Sequence, residues 1–237
     1  PETGFPLAIV DGSYHTVMRT GAAAAVSAKW MARKDSRKLA IVGAGHMAEG
    51  ALATCNEVFP WTDVRVWSRS QATLDHFVKE QQPKYENFKI NASTNLEQVV
   101  RGADVVVTLT PARGPIVMAD WISPGTHIAA VGADKKGEQE LEGKLLKGAR
   151  IFVDDIRQCR TDGEINVPLS DGLITEKDIA GEIGEVITGK KKGRTSDKEI
   201  TIFDLTVIAL QDSATVPLEY ERAMAAGVGI EKKMIST

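Results

Sequence analysis

Short, almost wholly apolar runs alternate along this chain with longer amphipathic stretches. Residues 39–42, 64–67, 104–109, 126–131, 151–153 and 200–203 are rich in Val, Ile and Ala. Such runs are the strands of a parallel sheet covered by helices on both faces. Between them, helical patterns begin at Met47 and Gln71. The alternation predicts an α/β fold, a doubly wound parallel sheet of the Rossmann type. Upstream, residues 7–10 read as a short strand, Asp11-Gly12-Ser13 as a turn, and residues 16–33 as a helix. Downstream, residues 158–196 are irregular and glycine-rich, with short helices expected near 175–179 and 183–187. A long helix over 207–226 closes the pattern, and Pro217 is expected to kink or split it.

The first of the regular strands runs into Gly43-Ala44-Gly45-His46-Met47-Ala48. A strand, a Gly-x-Gly-x-x-Ala turn and a helix start, in that order, form the dinucleotide fingerprint. Gly43 allows the tight turn, and Gly45 lets backbone amides approach a pyrophosphate. Ala48 permits close packing of helix on strand, and the helix N-terminus adds partial positive charge. The amides of His46 and Met47 matter here more than their side chains.

A ribose-reading residue is expected about 20 residues further on, at the end of the second strand. Here that strand ends in Ser68-Arg69-Ser70. Where NAD is preferred, an acidic residue accepts hydrogen bonds from the ribose 2′-hydroxyl. A guanidinium flanked by two hydroxyls instead suits a 2′-phosphate and stacking on adenine. The site therefore predicts NADP(H) as the preferred coenzyme, with NAD(H) possible; the alternative is a solvated arginine opening the next helix. Residues 35–204 make up the predicted dinucleotide-binding domain, with the segments on either side lying outside it.

Composition narrows the function classes. The 237 residues are 43% hydrophobic and 26% charged, with a net charge of −3. That balance gives no electrostatic footprint for nucleic acid, and Lys190-Lys191-Lys192 reads as a solvated turn. No apolar run is long enough to span a membrane. The two cysteines, Cys55 and Cys159, have no metal-ligand spacing and fit a reducing cytoplasm, with no metal expected. The chain opens at Pro1 without an initiator methionine, as a fragment or trimmed chain would.

Over nearly its whole length the sequence resembles the ornithine cyclodeaminase/mu-crystallin family of NAD(P)-dependent enzymes. The resemblance rests on Met18-Arg19-Thr20-Gly21-Ala22, Gly43-Ala44-Gly45, Val66-Trp67-Ser68-Arg69 and Thr108-Leu109-Thr110-Pro111. It continues through Ala130-Val131-Gly132-Ala133-Asp134 with Glu140-Leu141, Val153-Asp154, Gly193-Arg194-Thr195-Ser196-Asp197 and Ala209-Leu210-Gln211-Asp212. Family chains are longer at the N-terminus, where a substrate domain supplies a lysine and an arginine to the substrate. Residues 1–34 and 205–237 are then remnants of that substrate and dimerisation domain, contributed by both chain ends.

The resemblance also implies roles. Arg19 grips the substrate carboxylate, and Thr20 approaches the nicotinamide side of the coenzyme. Asp134 is the catalytic aspartate, handling protons at the substrate nitrogen or at water attacking an imine. Thr108, Thr110 and Pro111 border the ribose and nicotinamide. Ile128 through Val131 meet the nicotinamide face largely through backbone. Leu205 lies beside the coenzyme and Thr206 beside the substrate. Read without the family, Arg19 is an arginine snorkelling from an Ala-rich helix, and Asp134 a loop aspartate capping a turn. Three positions depart from the family: Glu138 replaces a lysine, Leu205 a serine and Val207 a glycine. Leu205 is expected to crowd the pocket. His15, His76 and His127 show no partner pattern.

These residues predict hydride transfer between NADP(H) and a small cyclic imine or amino acid, as in a ketimine or pyrroline-2-carboxylate reductase. Ornithine cyclodeamination with NAD and alanine dehydrogenation are alternatives on the same site. A non-catalytic, mu-crystallin-like protein binding NADPH or another ligand is the alternative of a different class. The implied partners are a small amino or imino acid and a second copy of the chain, in a homodimer; neither nucleic acid nor membrane is expected.

Overall fold

A computed structural model describes residue 4 and residues 6–232. In chain order its elements are α1 (Gly12–Met31), β1 (Lys38–Val42), α2 (His46–Asn56), β2 (Asp63–Trp67), α3 (Gln71–Gln81) and β3 (Ile90–Ser93). There follow α4 (Leu96–Val100), β4 (Val105–Thr108), β5 (Arg113–Val117), β6 (His127–Ala130), β7 (Gln139–Leu141), α5 (Gly143–Lys147) and β8 (Arg150–Val153). The last are α6 (Ile156–Asp162), α7 (Asn166–Ser170), β9 (Ile179–Glu182), α8 (Ile183–Ile187), β10 (Thr201–Asp204) and α9 (Ala209–Ala226).

The sheet is of the predicted parallel, doubly wound kind, with β3 and β9 added to the six expected strands. Eight strands run in the order β3-β2-β1-β4-β6-β10-β8-β9, every neighbouring pair parallel, and β5 and β7 form a separate parallel pair. Strand order reverses at β1, so the carboxyl ends of β1 and β4 flank the crevice where open α/β sheets bind ligands. Side chains alternate between two cores, one on each face. Leu39 and Ile41 enter the first core while Ala40 and Val42 enter the second. Helices α1, α2 and α3 cover the first face; α4, α5 and α6 cover the second.

The helix α1 is docked by backbone contact. A Cβ on Gly50 would collide with the Val17 carbonyl, and one on Gly21 with the backbone of Gly50 and Ala51. Only two glycines let α1 and α2 approach so closely. The approach holds the Arg19–Thr20 turn of α1 against the amino-terminal half of α2. Deeper in, His127 on β6 bonds Ser27 of α1 at 3.0 Å and Thr201 of β10 at 2.9 Å. Burial, helped by the charge of Arg194, pushes its imidazole down to about 3 and keeps it neutral.

Four expectations need correction. Residues 7–10 form no strand, with Leu7 78% and Ile9 95% exposed, because none of the described strands lies beside them to complete a ladder. The helix expected from Thr16 starts at Gly12, because the Asp11 carboxylate caps it by accepting from the Ser13 N–H at 2.8 Å. The helix expected near 175–179 is one 3-10 turn, Glu176–Asp178, after which Ile179 begins β9. Finally, α9 runs unbroken through Pro217. The carbonyl that loses its partner belongs to Ser213, an exposed residue where water satisfies it.

Candidate functional site

The carboxyl ends of β1, β4, β6 and β10 lie side by side and assemble most of the predicted residues. At the end of β1, Gly43 takes φ 122°, a conformation that favours glycine, and a Cβ there would press on the Leu109 carbonyl at 3.1 Å. Gly45 is the N-cap of α2 and supplies no side chain to its first amides. The opening N–H groups of a helix have no intrahelical acceptor, so those of His46 and Met47 are left for a ligand. A Cβ on Gly45 would meet nothing within 4 Å. This open, uncapped helix start fits a pyrophosphate.

At the end of β2, the Ser68 hydroxyl accepts from the Ser70 N–H at 3.3 Å, and the Ser70 hydroxyl from the Thr73 N–H at 3.4 Å, capping α3. Arg69 between them is exposed and has no ion pair among the described residues.

Three buried carboxylates, with the half-buried Asp154, hold the loops around the crevice. Glu140 Oε1 accepts both the backbone N–H and the hydroxyl of Thr110, each at 2.7 Å. Its Oε2 accepts the Gly132 N–H at 3.0 Å. Burial pushes the Glu140 carboxyl up to about 7 against the pull of these bonds. Behind it, Glu164 accepts the N–H groups of Glu140 and Leu141, and burial beside Glu140 raises it well above the usual range. Asp204 accepts the N–H groups of Glu164 and Ile165, and burial lifts it to about 7. Asp154 accepts the N–H and hydroxyl of Thr206, both at 3.0 Å, and the Cys159 thiol. The roles of these four acids were not legible in the sequence. The available signal was acidic residues set directly against apolar strand positions, as in Ile202-Phe203-Asp204.

Thr108, at the end of β4, is fully buried, and its hydroxyl lies beside the Glu140 carboxyl, where with Thr110 it favours the charged form against burial. Asp134, four residues past β6, is exposed, with Lys135 Nζ at 3.6 Å. Its own N–H donates to Glu138 Oε2 at 3.3 Å, so the buried Glu138 closes this loop from within.

Two predicted residues are placed otherwise. Ile128 sits inside β6, its backbone between β4 and β10 and its side chain in the second core, so it has no group to offer a ligand. The Leu205 side chain is fully buried in the first core rather than crowding the crevice. Val207 takes φ 63°, a left-handed conformation that strains a β-branched residue.

Arg19 and Thr20 lie on α1, where α9 crosses it. Arg19 Nη1 donates to the Thr20 hydroxyl at 2.8 Å and to Gln211 at 3.3 Å, and Nε to Asp212 at 3.2 Å. His15, one turn earlier, is buried between Asp212 at 2.9 Å and Glu219 at 2.8 Å. That pairing corrects the expectation of a histidine without partners. Its partners lie some two hundred residues away, beyond the reach of any local pattern.

Comparison with known proteins follows the same lines. The model of the ornithine cyclodeaminase/mu-crystallin family matches residues 1–227. The chain is 44% identical over 233 residues to the alanine dehydrogenase of Archaeoglobus fulgidus, spanning 98% of this chain and 71% of that protein. An archaeal alanine dehydrogenase dimer with bound NAD superposes with a TM-score of 0.94 at 43% identity, covering 99% of this chain and 72% of that one. The Thermococcus litoralis Δ1-pyrroline-2-carboxylate reductase, in complex with NADH and L-proline, gives 0.94 at 34% identity over 98% and 72%. The chain belongs to the ornithine cyclodeaminase/mu-crystallin family of NAD(P)-dependent enzymes.

Proposed function

We propose that this enzyme transfers a hydride between NADP(H) and the carbon–nitrogen bond of a small imino or amino acid, as a ketimine or Δ1-pyrroline-2-carboxylate reductase does. The observation that carries the coenzyme choice is Arg69, exposed and without a carboxylate partner between two serines at the end of β2. A 2′-phosphate would pair with its guanidinium, whereas NAD(H) would leave it without a role. Residues 35–204 are assigned to the coenzyme, and 1–34 with 205–237 to the substrate and dimer side.

When bound, the coenzyme supplies or accepts the hydride. Arg19 holds the substrate carboxylate, and Thr20, hydrogen-bonded to Arg19, fixes that end of α1 against the coenzyme. Asp134 gives a proton to the imine nitrogen as the carbon receives the hydride, so that C=N becomes CH–NH. Its exposure lets solvent restore the proton. His46 and Met47 hold the pyrophosphate by their amides, Gly45 leaves room for it, and Gly43, whose own N–H is spent on the Trp67 carbonyl, makes the turn. Thr108, Thr110 and Val131, tied together through Glu140 and the β4–β6 pairing, flank the nicotinamide, and Thr206 faces the substrate.

A second reading, alanine dehydrogenation, is favoured by the 44% identity to a protein of that name. Loss of reduced-coenzyme absorbance separates the two: consumption of NADPH with Δ1-pyrroline-2-carboxylate supports the reductase, and consumption only with pyruvate and ammonia supports the dehydrogenase. Cyclodeamination of ornithine would release ammonia with no net change in coenzyme. Tight NADPH binding without turnover of any of these would support a ligand-binding protein. We also propose a homodimer, consistent with the dimeric relative and with the exposed Leu210, Leu218 and Met224 along α9. Sedimentation as a monomer would contradict it.

A further inference from the structure

The Arg19 guanidinium is held from two sides. Nε donates to Asp212 Oδ1 at 3.2 Å, and Nη1 is used by the Thr20 hydroxyl and Gln211. Nη2 makes no hydrogen bond among the described residues, so both its donors remain for an incoming group. Asp212 is held in turn: the same Oδ1 receives His15 Nε2 at 2.9 Å, while His15 Nδ1 faces Glu219 Oε1 at 2.8 Å. Each ring nitrogen therefore faces a carboxylate oxygen, and both must carry a proton to donate.

The chain Glu219–His15–Asp212–Arg19 is thus one charged relay between α1 and α9. It matters mechanically because none of the α9 residues is buried, so polar links of this kind are what fasten that helix. The side chains of His15 and Arg19 are 6% and 9% exposed, against 37% for Glu219 and 40% for Asp212. The cations sit inside, with carboxylates towards solvent.

We propose that Asp212 and His15 are positioning residues for Arg19: Asp212, itself held by the His15 imidazolium, fixes the guanidinium so that its Nη2 donors meet the substrate carboxylate. This rests on the reading that Arg19 grips that carboxylate. A guanidinium fixed before the substrate arrives loses less side-chain freedom on binding. The groups facing His15 from α9 are Glu219, Asp212 and the Thr215 hydroxyl, and on α1 the Arg19 guanidinium shares its Asp212 oxygen. The hydrogen bond to Glu219, with that to Asp212, raises the imidazole above its ordinary value against the effect of burial. As pH rises through that raised value the ring loses a proton, one nitrogen turns a lone pair towards a carboxylate, and the clamp loosens.

The test is the split between KM and kcat for Δ1-pyrroline-2-carboxylate with NADPH. Asp212→Asn is expected to raise KM about tenfold, the size of one charged hydrogen bond, with kcat within about twofold. NADPH affinity should stay unchanged, and Asp212→Glu should recover part of the loss. His15→Gln is expected to raise KM too and to remove the rise of KM with pH. An unchanged KM in Asp212→Asn, or a loss of KM, kcat and coenzyme affinity together, overturns the proposal. Arg19→Gln checks the underlying reading: if it leaves KM unchanged, Arg19 does not hold the carboxylate and both fall. If it raises KM and Asp212→Asn does not, only the clamp fails. Should turnover be too slow, calorimetric binding of L-proline to the NADP+-loaded protein reads the same order of variants.

Discussion

Glu140 clasps Thr110 with a single oxygen, which accepts both its amide and its hydroxyl at 2.7 Å. Its other oxygen takes the Gly132 amide, so one buried carboxylate joins the loops after β4 and β6. A ligand in the crevice is thereby flanked by loops that cannot separate without breaking charged hydrogen bonds.

The same burial makes this carboxylate a pH-dependent element of stability. The folded state raises the Glu140 carboxyl from 4.5 to about 7. Between those values the folded protein holds a proton that the unfolded chain has released, so the contribution of Glu140 falls as pH rises from 4.5 to 7. Glu140→Gln, which carries no charge, is expected to gain on the wild type by about 3 kcal/mol across that window. Urea denaturation of both proteins at several pH values measures it, and parallel pH dependences would contradict the assignment.

Close packing of α1 on α2 is expected to be intolerant of a single methyl. Gly50→Ala places a Cβ against the Val17 carbonyl, and overpacking of this kind costs about 2 kcal/mol. Thermal denaturation should show a clear fall in Tm for Gly50→Ala and none for Gly184→Ala, where a Cβ meets nothing within 4 Å.

Val207 invites the opposite change. At φ 63° a valine is strained by about 1–2 kcal/mol. Val207→Gly is therefore expected to keep or raise Tm, although glycine normally weakens a chain by its unfolded-state entropy. A fall as large as that of Val64→Gly, at an ordinary buried strand position, would show that the turn is not strained.

Proton transfer is tested at Asp134. Asp134→Asn is expected to lower kcat about a hundredfold while leaving NADPH affinity unchanged, since the backbone link to Glu138 survives. Single-turnover absorbance against coenzyme titration separates the two quantities, and an unaltered kcat would remove Asp134 from the chemistry.

What was legible in the sequence was local. Gly43, Gly45 and the apolar run before them announce strand, turn and helix within ten residues, and the parallel sheet class they imply is the observed one. Edge strand β3 was missed because Ile90-Asn91-Ala92-Ser93 is largely polar, and β9 because Gly181 interrupts it. Residues 7–10 carry the strand pattern without a strand to pair with. The carboxylate scaffold of Glu140, Glu164, Asp204 and Asp154, and the partners of His15, depend on residues brought together by the fold. No periodicity encodes such contacts.

The central claim is a nicotinamide coenzyme lying on the glycine turn of residues 43–48, against the amides of His46 and Met47, with a 2′-phosphate at Arg69. Its most direct measurement is the dissociation constant for NADPH and for NADH in the wild type and in Arg69→Asp. The expected result is tighter NADPH binding by the wild type and a fall in the NADPH/NADH preference of about a hundredfold in the variant, the worth of a lost charge-assisted pair plus a new repulsion. Equal preference in the two proteins would contradict the claim.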